Sequence, residues 1–159
     1  MVVVTTAVDG ERGGCLVGFH CQAGIDPERY AVWLSKANHT YRLALRSAYL
    51  GVHFLTADDR ELAELFGTTS GDDADKFAQI AYALGPEDVP LLTRCAHRLV
   101  LRRRTLLDDG SDHVCFTGEV VSAGSPDAFT PLRLSAVQSL DAGHDAEERP
   151  SPPTERAGS

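Results

Sequence analysis

Apolar and polar residues alternate along the first third of the chain in a way that is typical of β-strands. Residues 2–8 are rich in β-branched side chains and end at Asp9-Gly10, a dipeptide that favours a turn. Apolar residues resume over 14–21, so the two segments predict a β-hairpin. Residues 30–34 are continuously apolar, which is typical of a strand that is covered on both faces.

Helical spacing occurs twice in the middle of the chain. Tyr41, Leu45 and the pair 48–49 recur at intervals that place them on one face of a helix, which predicts that this face packs on a sheet. Residues 50–55 then alternate in hydrophobicity with the period of a strand. A second apolar stripe within 62–66 predicts another helix.

Long β-type segments dominate the second half of the chain. Residues 94–107 and 113–121 are joined by the turn-forming sequence 108–112, which is a strong hairpin signal, and a last short strand is expected near 132–137. Together with the first half, these segments predict a mainly β protein of the α+β kind. The expected architecture is a six-stranded antiparallel β-barrel with appended helices.

Length and composition divide the chain into one domain and a tail. The 159 residues correspond to about one domain, and a hydrophobic content of 43% is enough to build one core. Residues 141–159 lack large apolar side chains and cannot repay the entropy cost of ordering. We therefore expect a folded domain over 1–140 and a disordered tail over 141–159.

Charge and cysteine usage narrow the functional classes. The formal charge of −8 argues against broad binding to nucleic acid or to anionic membranes, because both require a basic face. No apolar stretch approaches the length of a membrane span, and no charged start precedes an apolar signal segment. The four cysteines form no C-x-x-C pair, so we expect a cytoplasmic protein with reduced thiols.

Metal and hydrolase chemistry are disfavoured by residue spacing. His20, His39, His53, His97 and His113 show neither H-x-x-x-H nor H-E-x-x-H spacing, so a metal site is not expected. The chain also lacks the G-x-S-x-G element of a serine hydrolase. This leaves the polar segment ahead of the first predicted helix as the best candidate for a functional site.

Residues 35–40 read Ser-Lys-Ala-Asn-His-Thr and stand at the start of the first predicted helix. Backbone amides at a helix N-terminus and the helix dipole favour an anion there, and the lysine adds a positive charge. The segment is therefore a candidate site for a phosphorylated ligand. An ordinary capped helix with a surface lysine is the alternative that spacing alone leaves open.

Five motifs in order connect this segment to a known family. Residues 14–41 hold a glycine, the turn Ile-Asp-Pro and the segment Ser-Lys-Ala-Asn-His-Thr; Leu-Ala-Glu-Leu-Phe follows at 62–66 and Asp-Lys-Phe at 75–77. Asp-His with Phe-Thr-Gly-Glu-Val completes the series at 112–120. In this order they resemble the motifs of the flavin reductase-like, FMN-binding split-barrel family. The resemblance spans residues 2–122 and implies a split β-barrel.

The resemblance also implies a homodimer that binds FMN, or FAD, near the subunit interface. It assigns backbone contacts with the flavin ring to Val17, Gly18 and Phe19. It assigns binding of the phosphate to the residues of the polar segment 35–40. The cofactor-binding residues that it implies are Val17, Gly18, Phe19, His20, Ser35, Lys36, Asn38, His39, Thr40, Lys76 and Phe77. His113 is the implied catalytic residue, placed near the face where a nicotinamide stacks.

The function that the resemblance implies is an NAD(P)H-dependent flavin reductase. Hydride would pass from NAD(P)H to the flavin N5, with the protein supplying position and electrostatics, and the reduced flavin would serve a partner monooxygenase. Residues 16–18 read Leu-Val-Gly where the family has Thr-x-Ser, and Ser111 stands where it has glycine. Members also carry a helix and part of a strand ahead of the position of Met1. These departures keep open an alternative, a protein that binds FMN or a similar cofactor without efficient NAD(P)H oxidation.

Overall fold

A computed structural model describes residues 1–72 and 74–142, and strands dominate these residues. The strands are β1 Val2–Val8, β2 Glu11–Val17, β3 His20–Ile25, β4 Glu28–Ser35, β5 Tyr49–Phe54, β6 Tyr82–Leu84, β7 Pro90–Leu92, β8 Arg98–Leu107 and β9 His113–Ala123. The α-helices are α1 His39–Ala44 and α2 Arg60–Thr68, and 3₁₀ turns cover Lys76–Gln79, Pro86–Asp88 and Leu134–Ala136. No helix in these two stretches is long and apolar enough to cross a membrane. The disordered tail expected over 141–159 lies, from residue 143 onward, outside the described part of the chain.

Seven of the strands form one antiparallel sheet in the order β2-β1-β5-β8-β9-β4-β3, while β6 and β7 pair separately. The mainly β, antiparallel class expected from the sequence is confirmed. The prediction of six strands is wrong, because the sheet has seven, and across the described residues β2 and β3 remain at its two ends instead of closing a barrel. The additional strand is β3, because the segment expected as one strand over 14–21 breaks at Gly18 and Phe19.

The last strand expected, near 132–137, does not form in the described chain. These residues contain the 3₁₀ turn Leu134–Ala136 instead. The neighbouring Pro131 makes only an isolated bridge with Thr56. Proline has no amide N–H to donate to a strand ladder, which accounts for the pairing ending there.

Strand β1 is buried on both faces and contributes to two hydrophobic cores. Because its side chains alternate, Val2 and Val4 pack in a first core with Phe116, and Val3 packs in a second core with Phe66 of α2. All three valines are fully buried. Each such burial contributes roughly 1.5–3 kcal/mol, so β1 anchors both sides of the sheet.

Two adjacent glycines let both helices approach strand β2 closely. A Cβ atom on Gly13 would lie 2.9 Å from Leu43 Cδ1 of α1, and one on Gly14 would lie 2.6 Å from Phe66 Cε1 of α2. Neither distance is compatible with a side chain unless Leu43 or Phe66 moves. The pair therefore sets how near α1 and α2 lie to the strand that leads to the candidate site.

The ends of three strands meet at one place in the sheet. Ser35, the last residue of β4, pairs with His113, the first residue of β9. The chain leaves β2 after Val17, and the carbonyl of Phe19 then accepts a hydrogen bond from the Trp33 amide of β4 at 3.0 Å. The β2–β3 connection, the end of β4 and the start of β9 are thus brought together although they are far apart in sequence.

Candidate functional site

A groove of about 460 Å³ opens where these strand ends meet. Ser35 at the end of β4 and Asn38 just beyond it line the groove. Asp112 and His113 line it at the start of β9. Its apolar lining comes from β2, from α2 and from the end of the described chain, and includes Leu16, Val17, Phe66, Leu134, Val137 and Leu140. Apolar walls with a few convergent hydrogen-bonding groups are typical of a site for a small organic ligand.

The β2–β3 connection forms one side of the groove. Gly18 and Phe19 lie between the two strands, so their amides are not committed to a strand ladder. A Cβ atom on Gly18 would meet only the Met1 side chain, at 3.6 Å, which is an ordinary contact. Phe19 is 62% exposed, and its ring packs edge-on against His113 with the centroids 5.3 Å apart. A flat ring can therefore approach this backbone closely.

His113 is held at the groove by its two preceding residues. The Asp112 carboxylate lies 3.0 Å from His113 Nδ1. Ser111 Oγ donates to the His113 carbonyl at 3.0 Å and accepts from the His113 amide at 3.4 Å. Residues of the β8–β9 turn thus restrain both the side chain and the backbone of His113.

The start of α1 is capped by its own residues. The Asn38 side chain accepts from the Thr40 amide at 2.9 Å, and the Asn38 carbonyl accepts from the Tyr41 amide at 3.0 Å. The Lys36 amide donates to the Asp112 carbonyl at 2.9 Å. Since Thr40 is also buried and α1 spans only six residues, side chains offer more to an anion here than backbone amides do.

Lys36 is the cation nearest to this helix start in sequence. Its Nζ donates to Asp108 Oδ1 at 2.8 Å in the β8–β9 turn. This hydrogen bond raises the pKa of Lys36 and, as its largest effect, lowers the pKa of the Asp108 carboxyl. The pair lies in solvent, where ion pairs are weak and exchange readily, so Lys36 remains available to an anionic ligand.

His39 faces an acidic cluster on the other side of α1. Its Nδ1 lies 2.9 Å from Asp72 Oδ1 and its Nε2 lies 3.5 Å from Glu11 Oε1. Arg42 donates to Asp72 at 2.6 Å, and the pKa of Asp72 is lowered first by Arg42 and then by His39. These contacts direct His39 toward the 70–72 loop, beside a second hollow of about 240 Å³.

Lys76 and Phe77 line the same second hollow and belong to the packing around it. Lys76 is 4% exposed, and its Nζ donates to the Gly14 carbonyl at 2.8 Å and to the Phe66 carbonyl at 3.4 Å. Burial lowers the pKa of Lys76. Phe77 packs edge-on against Phe66 and Tyr82 at centroid distances of 5.8 and 5.5 Å. The lysine therefore joins β2, α2 and the 3₁₀ turn that follows.

His20 belongs to an aromatic cluster. Its Nδ1 lies 2.8 Å from the Tyr30 hydroxyl, and its ring packs against Tyr30 and Phe54. Burial lowers the pKa of His20 and raises that of Tyr30 to about 12. His20 is not in the groove lining, and neither are Lys36 and Thr40.

The expected residues are thus divided among several places. Val17, Gly18, Phe19, Ser35, Asn38 and His113 line the groove together. His39, Lys76 and Phe77 line the second hollow instead. Sequence reasoning did not assign a site role to Asp112 or to the wall formed by Leu134, Val137 and Leu140. The three-residue spacing of that apolar series is the signal that could have found it.

The residue types around the groove suit a flavin better than a metal ion. Among residues 1–72 and 74–142, no group of three or more His, Cys, Asp and Glu side chains could hold a metal. Exposed backbone at Gly18, apolar walls, and the polar groups of Ser35, Asn38 and His113 match a planar ring with a hydrogen-bonding edge. The groove therefore fits the ring of the cofactor that the motifs imply.

Comparison with known proteins identifies the family of the chain. The chain belongs to the flavin reductase like domain family, which matches residues 1–136. It is 28% identical to a ferric-chelate reductase (NAD(P)H) from Archaeoglobus fulgidus over 124 residues, covering 77% of this chain and 73% of the relative. The resemblance found in the sequence motifs is thus confirmed.

Solved structures show the same fold. An FMN-binding protein from Thermus thermophilus with bound 1-cyclohex-2-enone is 26% identical with a TM-score of 0.70, covering 76% of this chain and 67% of that protein. A flavin reductase domain protein from Arthrobacter sp. FB24 is 24% identical with a TM-score of 0.73, covering 82% and 79%. The first of these structures is that of a protein that binds FMN.

Proposed function

We propose that the protein is an NAD(P)H-dependent flavin reductase with FMN as its flavin. The observation that supports this most directly is the convergence of the β2–β3 connection, Ser35 and His113 on one groove. The family, the curated relative with its NAD(P)H-dependent reductase activity and the FMN-binding structural relative support the same class. When bound, the flavin supplies the two-electron redox chemistry, and the protein supplies position and electrostatics.

The chain's residues have separate tasks in this proposal. The backbone of 17–19 contacts the polar edge of the ring, while Ser35 and Asn38 hydrogen-bond along the groove. Lys36 leaves its ion pair with Asp108 and pairs with the phosphate instead, so that its charge neutralises the phosphate. His113 lies beside the nicotinamide and orients it. Substituting His113 by alanine should therefore slow turnover more than it weakens flavin binding.

The role of Lys36 can be tested with a pair of flavins. Lys36→Ala should weaken FMN binding about tenfold, because a charge-assisted bond to the phosphate is lost. It should leave the affinity for riboflavin, which has no phosphate, unchanged. Arg46→Ala is a matched control, since Arg46 is also exposed and pairs with Asp9 away from the groove. Equal losses for FMN and riboflavin would show that Lys36 does not bind the phosphate.

A homodimer is the assembly that we propose. Phe19, Ile25 and Leu107 are large apolar residues with 62%, 84% and 65% of their surface exposed. Leu106 on β8 and Val121 on β9 are 41% and 43% exposed. Exposed apolar residues of this size favour association with a partner surface. Sedimentation equilibrium that returns a monomer mass, about 17.1 kDa, across micromolar concentrations would contradict the proposal.

Two observations favour a second candidate, a flavin-binding protein without efficient NAD(P)H oxidation. The amides of Thr40 and Tyr41 are satisfied within the helix start, and Leu16-Val17 present no hydroxyl to the ring. Under this alternative the protein carries flavin. Under the first candidate it releases reduced flavin to a partner monooxygenase.

A single assay separates the two candidates. Flavin binding is first measured by quenching of FMN fluorescence, and oxidation of NADH and NADPH is then followed with FMN in excess. Oxidation well above the protein-free control supports the reductase. Confirmed binding with no such rate supports the flavin carrier. Any flavin that copurifies can be released by heating the protein, and its mass then distinguishes FMN from FAD.

A further inference from the structure

Three arginines surround one glutamate on a face of the large sheet. Glu119 of β9 is the direct ladder partner of Arg29 on β4 and of Arg102 on β8. Because directly opposed residues of antiparallel strands carry their side chains on the same face, these three form a row across the sheet. Arg104 stands at an irregularity of β8 and donates to Glu119 Oε2 from Nε, at 2.9 Å, and from Nη2. We call the three arginines the arginine row.

The charges of the arginine row exceed that of the glutamate. Arg102 Nη2 lies 3.1 Å and Arg29 Nη1 lies 3.4 Å from the same Oε2 atom. The hydrogen bonds from Arg104 and then from Arg102 lower the pKa of Glu119 to about 2, so its carboxyl is ionised at neutral pH. Within residues 1–72 and 74–142, no other carboxylate pairs with the three guanidinium groups, which leaves an excess of two positive charges. This excess stands out in a chain whose formal net charge is −8.

Glu119 also provides too few acceptors for the donors of the arginine row. Arg29 Nη1 is buried and has no hydrogen-bond partner in the described part of the chain, because its contact with Glu119 is an ion pair without a hydrogen bond. A buried N–H group that lacks an acceptor is unfavourable. Arg102 and Arg104 keep 44% and 43% of their side chains exposed, so a ligand in solvent can reach the row. Unused donors and unused positive charge both favour an added anion.

We propose that Arg29, Arg102 and Arg104 form a binding site for a phosphate-class anion, with Glu119 neutralising one of the three charges. A phosphate monoester carries a charge of about −1.5 to −2 at pH 7, which is comparable to the excess in the row. Guanidinium groups bind phosphate oxygens through paired N–H donors, with a geometry that an ammonium group does not offer. The chemistry of the row therefore suits a phosphate group.

The arginine row is separate from the groove. Arg29 and Ser35 are six residues apart on β4, and Glu119 and His113 are six residues apart on β9. At roughly 3.3 Å per residue, this separation is about 20 Å along the strands. Anion binding can therefore be tested without flavin or nicotinamide, and its failure would leave the proposed reductase unaffected.

Inorganic phosphate is the first probe, and the arginine Nε–H resonances in nitrogen-15 spectra report where it binds. Single Arg→Gln variants assign the resonances, and chloride keeps the ionic strength constant. Phosphate should shift the signals of the arginine row, and Arg104→Gln should weaken binding about tenfold, because one charge-assisted contact is lost. Arg46→Gln is the matched control, since Arg46 is exposed and pairs with Asp9 elsewhere. Unshifted signals in the parent, or an equal loss in Arg46→Gln, would overturn the proposal.

Glu119→Gln separates an anion site from an ion-pair network that is only structural. The variant lacks the carboxylate that competes for the arginines, so it should bind phosphate about fivefold more tightly, the scale of removing one nearby like charge. Phosphate should also restore the thermal stability that the variant loses in phosphate-free buffer. Affinity no higher than in the parent, or a loss of stability that phosphate does not restore, would overturn the proposal. If Glu119→Gln does not fold, Arg102→Gln decides the matter, because it should fold and bind phosphate more weakly than the parent.

Two further measurements identify the source of the phosphate and test another role for the row. AMP carries a phosphate group on a nucleoside, and its binding is followed by the same arginine resonances. Equal affinities for AMP and inorganic phosphate support the free ion as the ligand, and tighter binding of AMP supports a phosphorylated nucleotide. Sedimentation equilibrium is then run on Arg104→Gln. Dissociation of a dimer in this variant, with no effect of phosphate on the parent, would assign the row to contact between copies and overturn the proposal.

Discussion

His53 of β5 is fully buried, and the partners of both its ring nitrogens define its protonation. The Val3 carbonyl lies 3.1 Å from Nδ1, and the Leu92 amide donates to Nε2 at 3.1 Å. Because a carbonyl only accepts and an amide N–H only donates, the ring is neutral with its proton on Nδ1. Burial lowers the pKa of His53 to about 4. A second proton on Nε2 would break the bond from Leu92.

This single residue should make the stability of the protein depend on pH. Below pH 6.5 the unfolded chain takes up a proton on His53, and the folded chain does not until about pH 4. Its contribution is therefore constant above pH 6.5, falls by about 1.4 kcal/mol per pH unit as pH decreases, and levels off below pH 4, for a loss of roughly 3 kcal/mol. Urea unfolding across this pH range measures the slope.

The matched variants that test this change of unfolding free energy with pH are His53→Gln and His97→Gln. The first should be less stable at neutral pH but should lose most of the decline between pH 6.5 and 4 that His53 causes. The second changes a half-buried histidine that stacks on Phe129 and should keep the decline. A slope in His53→Gln as steep as in the parent would assign the acid sensitivity to other groups.

The four cysteines should differ sharply in reactivity. Cys21 is exposed, whereas Cys15, Cys95 and Cys115 are buried. Burial raises the pKa of Cys15 to about 11 and that of Cys95 to about 12, so these thiols stay protonated and unreactive. Ellman's reagent should therefore modify one thiol quickly in the folded protein and all four after denaturation. Cys21→Ser should abolish the fast reaction and Cys115→Ser should preserve it; the reverse result would contradict this assignment.

Individual site residues could be predicted only where a motif specifies them. The motifs located Ser35 and His113, which the structure brings together in one groove. They did not indicate that Lys76 is 4% exposed, because a lysine is ordinarily a surface residue. Its burial depends on the carbonyls of Gly14 and Phe66, and those partners become neighbours only when the chain has folded.

At the scale of elements, the packing of α2 on β2 depends on Gly14. Gly14→Ala would place a methyl group 2.6 Å from Phe66 Cε1 and 3.1 Å from Phe77 Cζ, so the rings must move. We expect a loss of about 1–3 kcal/mol in the free energy of unfolding, measured with urea. Gly18→Ala is the control, because its nearest contact at 3.6 Å is acceptable and the change should stay within about 0.5 kcal/mol. Equal losses of unfolding free energy in the two variants would show that the packing of α2 on β2 does not depend on the close approach at Gly14.

The elements that were predicted correctly have strong patterns, and β3 does not. Strand β1 is rich in β-branched residues, and its burial on both faces suits that composition. The residues of β3, His20–Ile25, are mostly exposed and contain no alternating apolar series. The strand forms because it follows the Gly18-Phe19 break and pairs with β4, which supplies its hydrogen bonds. Periodicity cannot detect a strand that is stabilised by pairing rather than by burial.

At the scale of the whole molecule, strand order and groove closure depend on contacts between distant residues. Strand β1 lies between β2 and β5, and β9 lies between β8 and β4. Hairpin signals predicted the β1–β2 and β8–β9 pairs, which are local. The apolar spacing around 134–140 indicates one buried face there, but not that this face returns to the groove formed by the first strands. The wall that it forms is therefore visible only in the folded protein.

The wall should contribute to stability and to ligand binding through different residues. Val137 is 5% exposed and packs in the second core, whereas Leu134 is 62% exposed, yet both line the groove. Val137→Ala should lower the free energy of unfolding by about 1–3 kcal/mol, from lost burial and the cavity left behind, and should also weaken FMN binding. Leu134→Ala should weaken FMN binding with a change of less than about 0.5 kcal/mol in stability.

Trp33, the only tryptophan, lines the same groove, so its fluorescence reports ligand binding directly. Titration of each variant with FMN gives the affinity, and urea unfolding of the same samples gives the stability. If Leu134→Ala left the affinity unchanged while Val137→Ala lowered both quantities, the wall would be core packing alone. Loss of affinity in both variants, with loss of stability in one, would show that the end of the described chain forms part of the binding groove.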